Sequence, residues 1–231
     1  MSLCDGVDLN RNFGYQWKKA KTLSPQAGSS QICMETYAGP APFSEPEARN
    51  IANFVSSIQQ NVVVSVVVKK KSSLKLRGLF MVNQIRSLLG PKNIYNHATC
   101  KPSVIHLFLQ SYLMLHNYGQ KILYPWSYTD KRIPDWKDLQ RMGEHMARSI
   151  EASSGLDYAV GSAPHTQYLA SGGSDDWARG EMGVKWVFLL ELPDKGYHGF
   201  LLPAYHIAPT GRSIFRGIRA MAVKVSHTLA Y

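Results

Sequence analysis

Residues 184–192 read VKWVFLLEL. All of them except Lys185 and Glu191 are apolar, and the run contains no turn-forming residue. Such a run is typical of a strand that is buried on both faces of a sheet. A carboxylate at the end of this strand is either paired for structural reasons or is a base with a raised pKa, and the residues alone leave both readings open.

Further strands and helices are predicted on either side of this strand. Ser44 and Glu47 have the spacing of a capping box at the start of a helix. The other predicted elements are strands over 108–116 and 121–126, and helices over 44–58, over 135–153 and from about residue 210. Strands that are separated by helices predict an α/β fold with a mixed β-sheet flanked by helices.

The composition predicts a folded globular chain, because 45% of the 231 residues are hydrophobic and 18% are charged. We interpret residues 1–231 as a single domain. No run of 18 apolar residues is present, so no membrane-spanning helix and no membrane partner are expected. The formal net charge is +10, yet no acidic residue lies between Glu47 and Asp130, so the excess is concentrated in that segment.

Residues 60–103 differ from their surroundings. They begin with a run of valines, continue into Lys69–Lys71 and show only weak periodicity. We interpret them as an atypical basic insertion, with disorder as one alternative. Phe80 and Tyr95 are the only aromatic residues between positions 55 and 103, whereas basic surfaces that bind nucleic acid interleave several aromatics. No nucleic-acid partner is therefore expected.

Three other patterns carry candidate chemistry. Arg11 lies between two asparagines in GVDLNRNF, residues 6–13, where it could bind a carboxylate or simply brace a loop. Residues 168–177 read YLASGGSDDW, which is either a functional loop or a solvated turn. His116 closes an apolar strand and could be a ligand or a satisfied core histidine.

Taken together, these motifs resemble the zinc metallocarboxypeptidases of the pancreatic carboxypeptidase A/B type. The resemblance rests on GVDLNRN, on ETYAGPAPFSEPE at 35–47, on HNYGQ at 116–120, on LYPW at 123–126, on the 168–177 loop, and on FLLELPDKGYHGFLLP at 188–203. It covers most of the chain on both sides of the proposed insertion. It implies a partial metallocarboxypeptidase fold that lacks the family's first strands.

The resemblance implies a zinc site and a catalytic base. His116 matches the third zinc ligand, and Glu191 matches the glutamate that moves the proton of the zinc-bound water. The family's other two ligands come from a His-x-x-Glu segment, and none of the eight histidines here is followed three residues later by Glu or Asp. One of three expected ligands is therefore present, so the chain alone is expected to be inactive. The alternative is a pseudoenzyme or fragment that retains only carboxylate binding.

The resemblance also implies roles in binding a peptide C-terminus. Asn10 and Arg11 match the pair that holds the terminal carboxylate, and Tyr168 matches the tyrosine that closes over it. Tyr118 matches a residue that lines the subsite before the scissile bond. Asp175 falls where the family sets the floor of the specificity pocket, which implies removal of C-terminal Lys or Arg by the complete enzyme.

Finally, the resemblance implies a disulfide between Cys4 and Cys33, and hence secretion, although the first residues carry no signal-peptide pattern. The third cysteine, Cys100, lies inside the proposed insertion. The expected partners are peptide or protein C-termini, and the sequence does not indicate an oligomeric state.

Overall fold

The fold is built on a five-stranded mixed sheet. The structure is a computed structural model that describes residues 6–20, 27–57, 63–65 and 111–228. The strands are β1 (Val63–Ser65), β2 (Ser111–Asn117), β3 (Lys121–Tyr124), β4 (Ala159–Ser162) and β5 (Trp186–Leu192). Their order in the sheet is β1-β2-β5-β3-β4, and β3 runs antiparallel to its neighbour β5 while the other pairs are parallel. The mixed sheet predicted from the sequence is confirmed.

Five α-helices accompany this sheet in the described part of the chain. They are α1 (Pro46–Ser57), α2 (Trp136–Ser154), α3 (Ala163–Thr166), α4 (Ser174–Gly180) and α5 (Ile207–Thr228). None of the described helices is long and apolar enough to cross a membrane. The helices predicted over 44–58, over 135–153 and from residue 210 correspond to α1, α2 and α5, with boundaries that differ by a few residues.

The predicted capping box differs from the structure. Helix α1 begins at Pro46, and the Ser44 hydroxyl donates a hydrogen bond to the Glu45 side chain at 2.9 Å. The same hydroxyl accepts a hydrogen bond from Asn12 Nδ2 at 2.9 Å. Ser44 is therefore engaged by the segment that carries Arg11, and this long-range partner is not visible in the spacing of Ser44 and Glu47.

Alternation along the strands divides the core into two layers. Leu113 and Phe188 belong to the layer that packs with α2 and α5. Tyr112 and Met114 belong to the opposite layer, which contains Phe13 and residues of α1 and α4. Because side chains alternate with a period of two along a strand, residues 112, 114 and 116 share the second face. His116 therefore points to the same side of the sheet as α1 and α4, and the candidate site lies on that side.

The strand β1 lies inside the segment predicted as an insertion. Its residues pair with β2 in parallel, with Val63 opposite Tyr112 and Ser65 opposite Met114. Val63–Ser65 is thus part of the sheet, although it falls within residues 60–103. The remaining residues of that segment, 60–62 and 66–103, are outside the described part of the chain, so the insertion stays a prediction.

Helix α2 approaches the sheet closely at Gly143. A Cβ atom placed on Gly143 would lie 2.5 Å from Val160 Cγ1 and 3.6 Å from Phe188 Cε1. Val160 is on β4 and has a stiff β-branched side chain, so it cannot yield by changing rotamer at low cost. The absence of a side chain at position 143 is what allows the helix to lie on β3, β4 and β5.

We expect Gly143→Ala to lower the free energy of unfolding by about 1–2 kcal/mol, because overpacking a core costs roughly 1–3 kcal/mol and the gain in helix propensity offsets only part of it. Gly211 is a matched control in α5, since a Cβ there would meet no atom within 4 Å. Gly211→Ala should instead stabilise the protein by about 0.5–1 kcal/mol. Urea denaturation of both variants measures the difference, and a stabilised Gly143→Ala would contradict this account of the packing.

Candidate active site

Two of the predicted residues lie side by side on the sheet. His116 on β2 is directly opposite Glu191 on β5 in the parallel register. Both continue the alternation that faces the α1 and α4 layer, and their exposed fractions are 6% and 5%. Parallel neighbours at the same register project their side chains to the same face of a sheet. The register therefore brings an imidazole and a carboxylate together in a nearly dry environment.

This pair does not by itself make a zinc site. A catalytic zinc ion takes three protein ligands and a water molecule. Within the described ranges, no group of three or more His, Cys, Asp or Glu side chains is arranged to hold a metal ion. The donor set that the structure describes therefore does not fit a catalytic zinc, and we derive no reaction step through the metal.

Arg11 lies in a short 3₁₀ helix, Leu9–Arg11, that the preceding Asp8 caps. The Asn10 backbone N–H donates to Asp8 Oδ1 at 3.1 Å, which fixes the start of this turn. Arg11 Nη1 donates to the Asn10 carbonyl oxygen at 2.8 Å and lies 4.0 Å from Asp8 Oδ2. Only 4% of Arg11 is exposed. The guanidinium group is thus held rigidly, with an acidic residue behind it.

The 168–177 loop is fastened to the Arg11 segment by backbone and side-chain hydrogen bonds. The Phe13 N–H donates to the Gly172 carbonyl at 2.9 Å, and Gly172 has φ +76° with its Cα against the Arg11 carbonyl. A side chain at position 172 would collide with that carbonyl, so the close approach requires glycine. The Ser174 N–H donates to Asn10 Oδ1 at 3.1 Å, and the Ser174 hydroxyl donates to Met114 Sδ at 3.1 Å. Ser174 therefore connects Asn10 to the strand that carries His116.

The Tyr168 side chain hydrogen-bonds the Arg11 guanidinium, and the Asp175 carboxylate acts on that guanidinium through its charge. Burial would lower the pKa of Arg11, but Asp8, a hydrogen bond with the Tyr168 side chain and the Asp175 carboxylate together raise that pKa above its usual value. Tyr168 is 37% exposed, so it forms the solvent side of this cluster. The structure thus brings Asn10, Arg11, Tyr168 and Asp175 together.

Asp175 and Asp176 are consecutive buried acids in the first turn of α4. The Ser127 hydroxyl donates to Asp175 Oδ2 at 2.6 Å. The backbone N–H groups of Ser127 and Tyr128 donate to the two carboxylate oxygens of Asp176, each at 2.9 Å. Asp176 accordingly anchors the segment after β3. Asp175 has the Ser127 hydroxyl and backbone N–H groups as its hydrogen-bond partners.

Burial raises the pKa of Asp175, and hydrogen bonds from Ser127 and from backbone N–H groups, together with Arg11, offset this only in part. Burial also raises the pKa of Asp176 well above its usual range, and the negative charge of Asp175 adds to that increase. Two adjacent carboxyl groups in a low-dielectric environment disfavour each other's ionised form. A cation placed beside Asp175 would relieve this repulsion.

Two further predicted residues are Tyr118 and Cys33. Tyr118 follows β2 and packs edge-on against Phe200, with ring centroids 5.0 Å apart, and it is 36% exposed. No contact described in the structure joins Tyr118 to Arg11 or Tyr168. Cys33 is disulfide-bonded. Its predicted partner, Cys4, lies outside the described residues, so the pairing stays a prediction.

Sequence reasoning missed four residues of the site: Asp8, Asn12, Ser127 and Gln167. Asn12 Nδ2 donates to the Ala38 and Ala41 carbonyls at 2.8 and 3.0 Å, and thereby shapes the loop that precedes α1. Gln167 Nε2 lies 3.5 Å from Glu191 Oε1 as a hydrogen-bond donor. Asp8 had a usable signal, since an aspartate directly before a helical turn is a common cap. An isolated serine or glutamine in a loop gives no comparable signal.

The sequence and the fold together identify the class of this protein. The sequence model of the zinc carboxypeptidase family matches residues 1–93 and 103–217, and the chain belongs to that family. The matched residues include most of the segment that was interpreted as an insertion.

Individual relatives are of both the A and the B type. The chain is 32% identical to carboxypeptidase B of Astacus astacus over 97% of its length, and 31% identical to carboxypeptidase A1 of Bos taurus over 99%. A structure of bovine thrombin-activatable fibrinolysis inhibitor in complex with tick carboxypeptidase inhibitor superposes with a TM-score of 0.70 and 29% identity over 98% of this chain. The chain spans 57%, 41% and 59% of these proteins, respectively.

Proposed function

We propose that this chain binds the C-terminal carboxylate of peptides through Arg11. The observation that carries the proposal is a buried, rigidly held guanidinium group beside Asn10 and Tyr168, at 4% exposure. A planar guanidinium donates two parallel hydrogen bonds to a carboxylate, which a lysine ammonium cannot do. Tyr168 hydrogen-bonds Arg11 from the exposed side, so it must move or share its bond when a peptide end enters.

We further propose that the last residue of the bound peptide is Lys or Arg. Asp175 is 3% exposed and lies close enough to Arg11 to raise the pKa of its guanidinium group. A second cation beside Asp175 would relieve the repulsion between Asp175 and Asp176. An apolar side chain in the same place would keep both carboxyl groups desolvated, with only the hydrogen bonds from Ser127 and Tyr128 to offset the cost.

We propose peptide hydrolysis only for a protein that contains this chain and supplies further metal ligands besides His116. In such a protein, Glu191 is the proposed base, because it is buried beside His116 and within 3.5 Å of Gln167 Nε2. In a second reading, the chain only captures peptide ends, which requires Arg11, Asn10 and Tyr168 and no metal ligand. Both readings share the same recognition of the carboxylate.

Secretion is proposed as well, and it is supported by the disulfide at Cys33.

The proposal is tested by calorimetric titration of the purified chain with a pentapeptide that ends in Arg. The matched control is the same peptide with an amidated C-terminus. We expect amidation to weaken binding by roughly 10- to 100-fold, since a hydrogen bond to a charged group contributes about 1.5–3 kcal/mol. Equal binding of the two peptides would show that Arg11 has no role in recognising a peptide end.

A further inference from the structure

The outer face of α5 carries a line of arginines. Arg212, Arg216 and Arg219 are all exposed. At about 100° per residue, they lie within roughly 60° of one another around the helix axis, and they extend over about 10 Å along it. Ile214, Met221 and Val225 are buried on the opposite face against α2 and the sheet. The helix therefore presents its arginines away from the protein, as one stripe.

These arginines form no ion pair with another described residue, and their own helix carries no acid. No Asp or Glu occurs from position 195 to the end of the chain. Within the described residues, none of the three arginines forms an ion pair, whereas Lys195 is paired with Asp157 at 2.7 Å and Arg141 is paired with Asp138. The stripe is therefore a local concentration of unneutralised positive charge.

The positive field extends onto the adjoining helix α2. Ser149 of α2 donates a hydrogen bond to the Arg216 carbonyl at 3.2 Å, which places the two helices side by side at this point. Burial lowers the pKa of His145, and Lys224 and Arg148 lower it further, against a smaller opposing effect of the Ala220 backbone. Lys224 of α5 and Arg148 of α2 therefore add positive charge at the junction of the two helices.

We propose that the stripe Arg212–Arg216–Arg219 binds a linear sulfated polysaccharide. Each guanidinium group can donate two hydrogen bonds to a sulfate group, and a straight row of such groups matches a chain that carries repeated sulfates. This surface is separate from the proposed peptide site, because α5 packs on the face of the sheet opposite to His116, Glu191 and Arg11.

Two other polyanions fit the surface less well. Single-stranded nucleic acid stacks its bases on several aromatic side chains, whereas Phe215 is the one aromatic residue on α5. An interfacial helix needs a continuous apolar face towards the lipid, and the exposed face of α5 is interrupted by Arg212, Arg216 and Arg219. The disulfide at Cys33 also places the chain in an oxidising compartment, away from nucleic acid and from the anionic cytoplasmic leaflet.

The experiment is a binding titration with a size-defined heparin oligosaccharide at several salt concentrations. We expect the triple variant R212Q/R216Q/R219Q to bind at least 10-fold more weakly than the wild type. The slope of log Kd against log salt should fall by roughly 2–3, about one per lost contact. The matched control is K137Q/R141Q/K195Q, which removes the same charge from exposed positions elsewhere and should change Kd by less than about twofold.

Circular dichroism establishes that both variants are folded, and the peptide titration described above should be unaffected in both. An equal loss in the two triple variants would mean that only net charge matters. Unchanged binding in R212Q/R216Q/R219Q would locate the interaction elsewhere in this basic chain. Tighter binding of the wild type to duplex DNA or to phosphatidylserine vesicles than to heparin would assign the surface to a different polyanion. Any of these three outcomes overturns the proposal.

Discussion

Replacing Arg11 by methionine is expected to weaken binding of a peptide with a free C-terminal carboxylate by about 100-fold or more. Removing one partner of a buried, hydrogen-bonded charge pair typically costs about 2–5 kcal/mol. The loss of binding free energy should lie in the upper part of this range. Without Arg11, the negative charges of Asp8 and Asp175 would repel the incoming carboxylate with no cation to offset them. Calorimetric titration with the Arg-terminated peptide and its amide measures the effect. The amide should bind the variant and the wild type almost equally.

A loss of binding has to be separated from a loss of folding, since Arg11 is buried beside Asp8. Arg179 is a matched control: it is a partly buried arginine that pairs with Asp135 at 2.7 Å and donates to the Val184 and Lys185 carbonyls. Arg179→Met should lower stability and leave peptide affinity unchanged. Arg11→Lys keeps the charge without the planar fork and should recover only part of the affinity. A folded Arg11→Met that binds the free-acid peptide normally would refute the assignment.

Replacing Asp175 by isoleucine is expected to reverse the preference between peptides that end in Arg and peptides that end in Phe. The ratio of the two affinities should change by tens- to thousands-fold, which corresponds to about 2–5 kcal/mol for a desolvated charge pair. Asp176→Ile is not a suitable comparison, because it would leave the Ser127 and Tyr128 N–H groups buried without acceptors. Ser127→Ala removes only the hydroxyl bound to Asp175 and should reduce the preference without reversing it.

The preference for Arg should also depend on pH. Burial raises the pKa of Asp175, and a cationic side chain favours its ionised form, so affinity for the Arg-terminated peptide should increase as pH rises from the usual carboxyl pKa of about 4 through the raised value. Over the same window, the contribution of Asp175 to the free energy of unfolding should fall, because the folded state holds this proton more tightly than the unfolded chain.

The Phe-terminated peptide is the control for this pH dependence, since it presents the same terminal carboxylate without a side-chain charge. Its affinity should lack the increase, and Asp175→Ile should remove the increase for the Arg-terminated peptide. An Arg-to-Phe ratio that is independent of both pH and position 175 would mean that Asp175 does not set specificity.

The layer architecture could be predicted from local patterns, because the buried strand at 186–192 and the amphipathic helices α2 and α5 depend mainly on periodicity. The neighbouring positions of His116 and Glu191 could not, because the register of two strands separated by about 70 residues is set by the packing of the whole sheet. Motif resemblance suggested a shared function for these two residues. It did not suggest that Gln167 would lie beside Glu191.

The error at Ser44 has a similar cause. Spacing alone favours a capping box with Glu47, but the Asn12 amide competes for the Ser44 hydroxyl across 32 positions. Likewise, nothing in the sequence distinguishes Ser127 from other loop serines. Its partner Asp175 is 48 positions away along the chain, and only the fold brings the two together. Long-range polar contacts of this kind depend on tertiary structure, and no local pattern encodes them.

The register of β2 against β5 has a consequence for how such a domain can change over evolutionary time. Substitutions in the loops can alter which peptide is bound while the sheet stays the same. A single-residue insertion or deletion between Tyr112 and His116 is different, because it would turn the imidazole to the opposite face of the sheet, into the layer with α2 and α5. Among homologues, insertions and deletions are therefore expected in the loops. The strands β2 and β5 should tolerate changes of residue type but not of length.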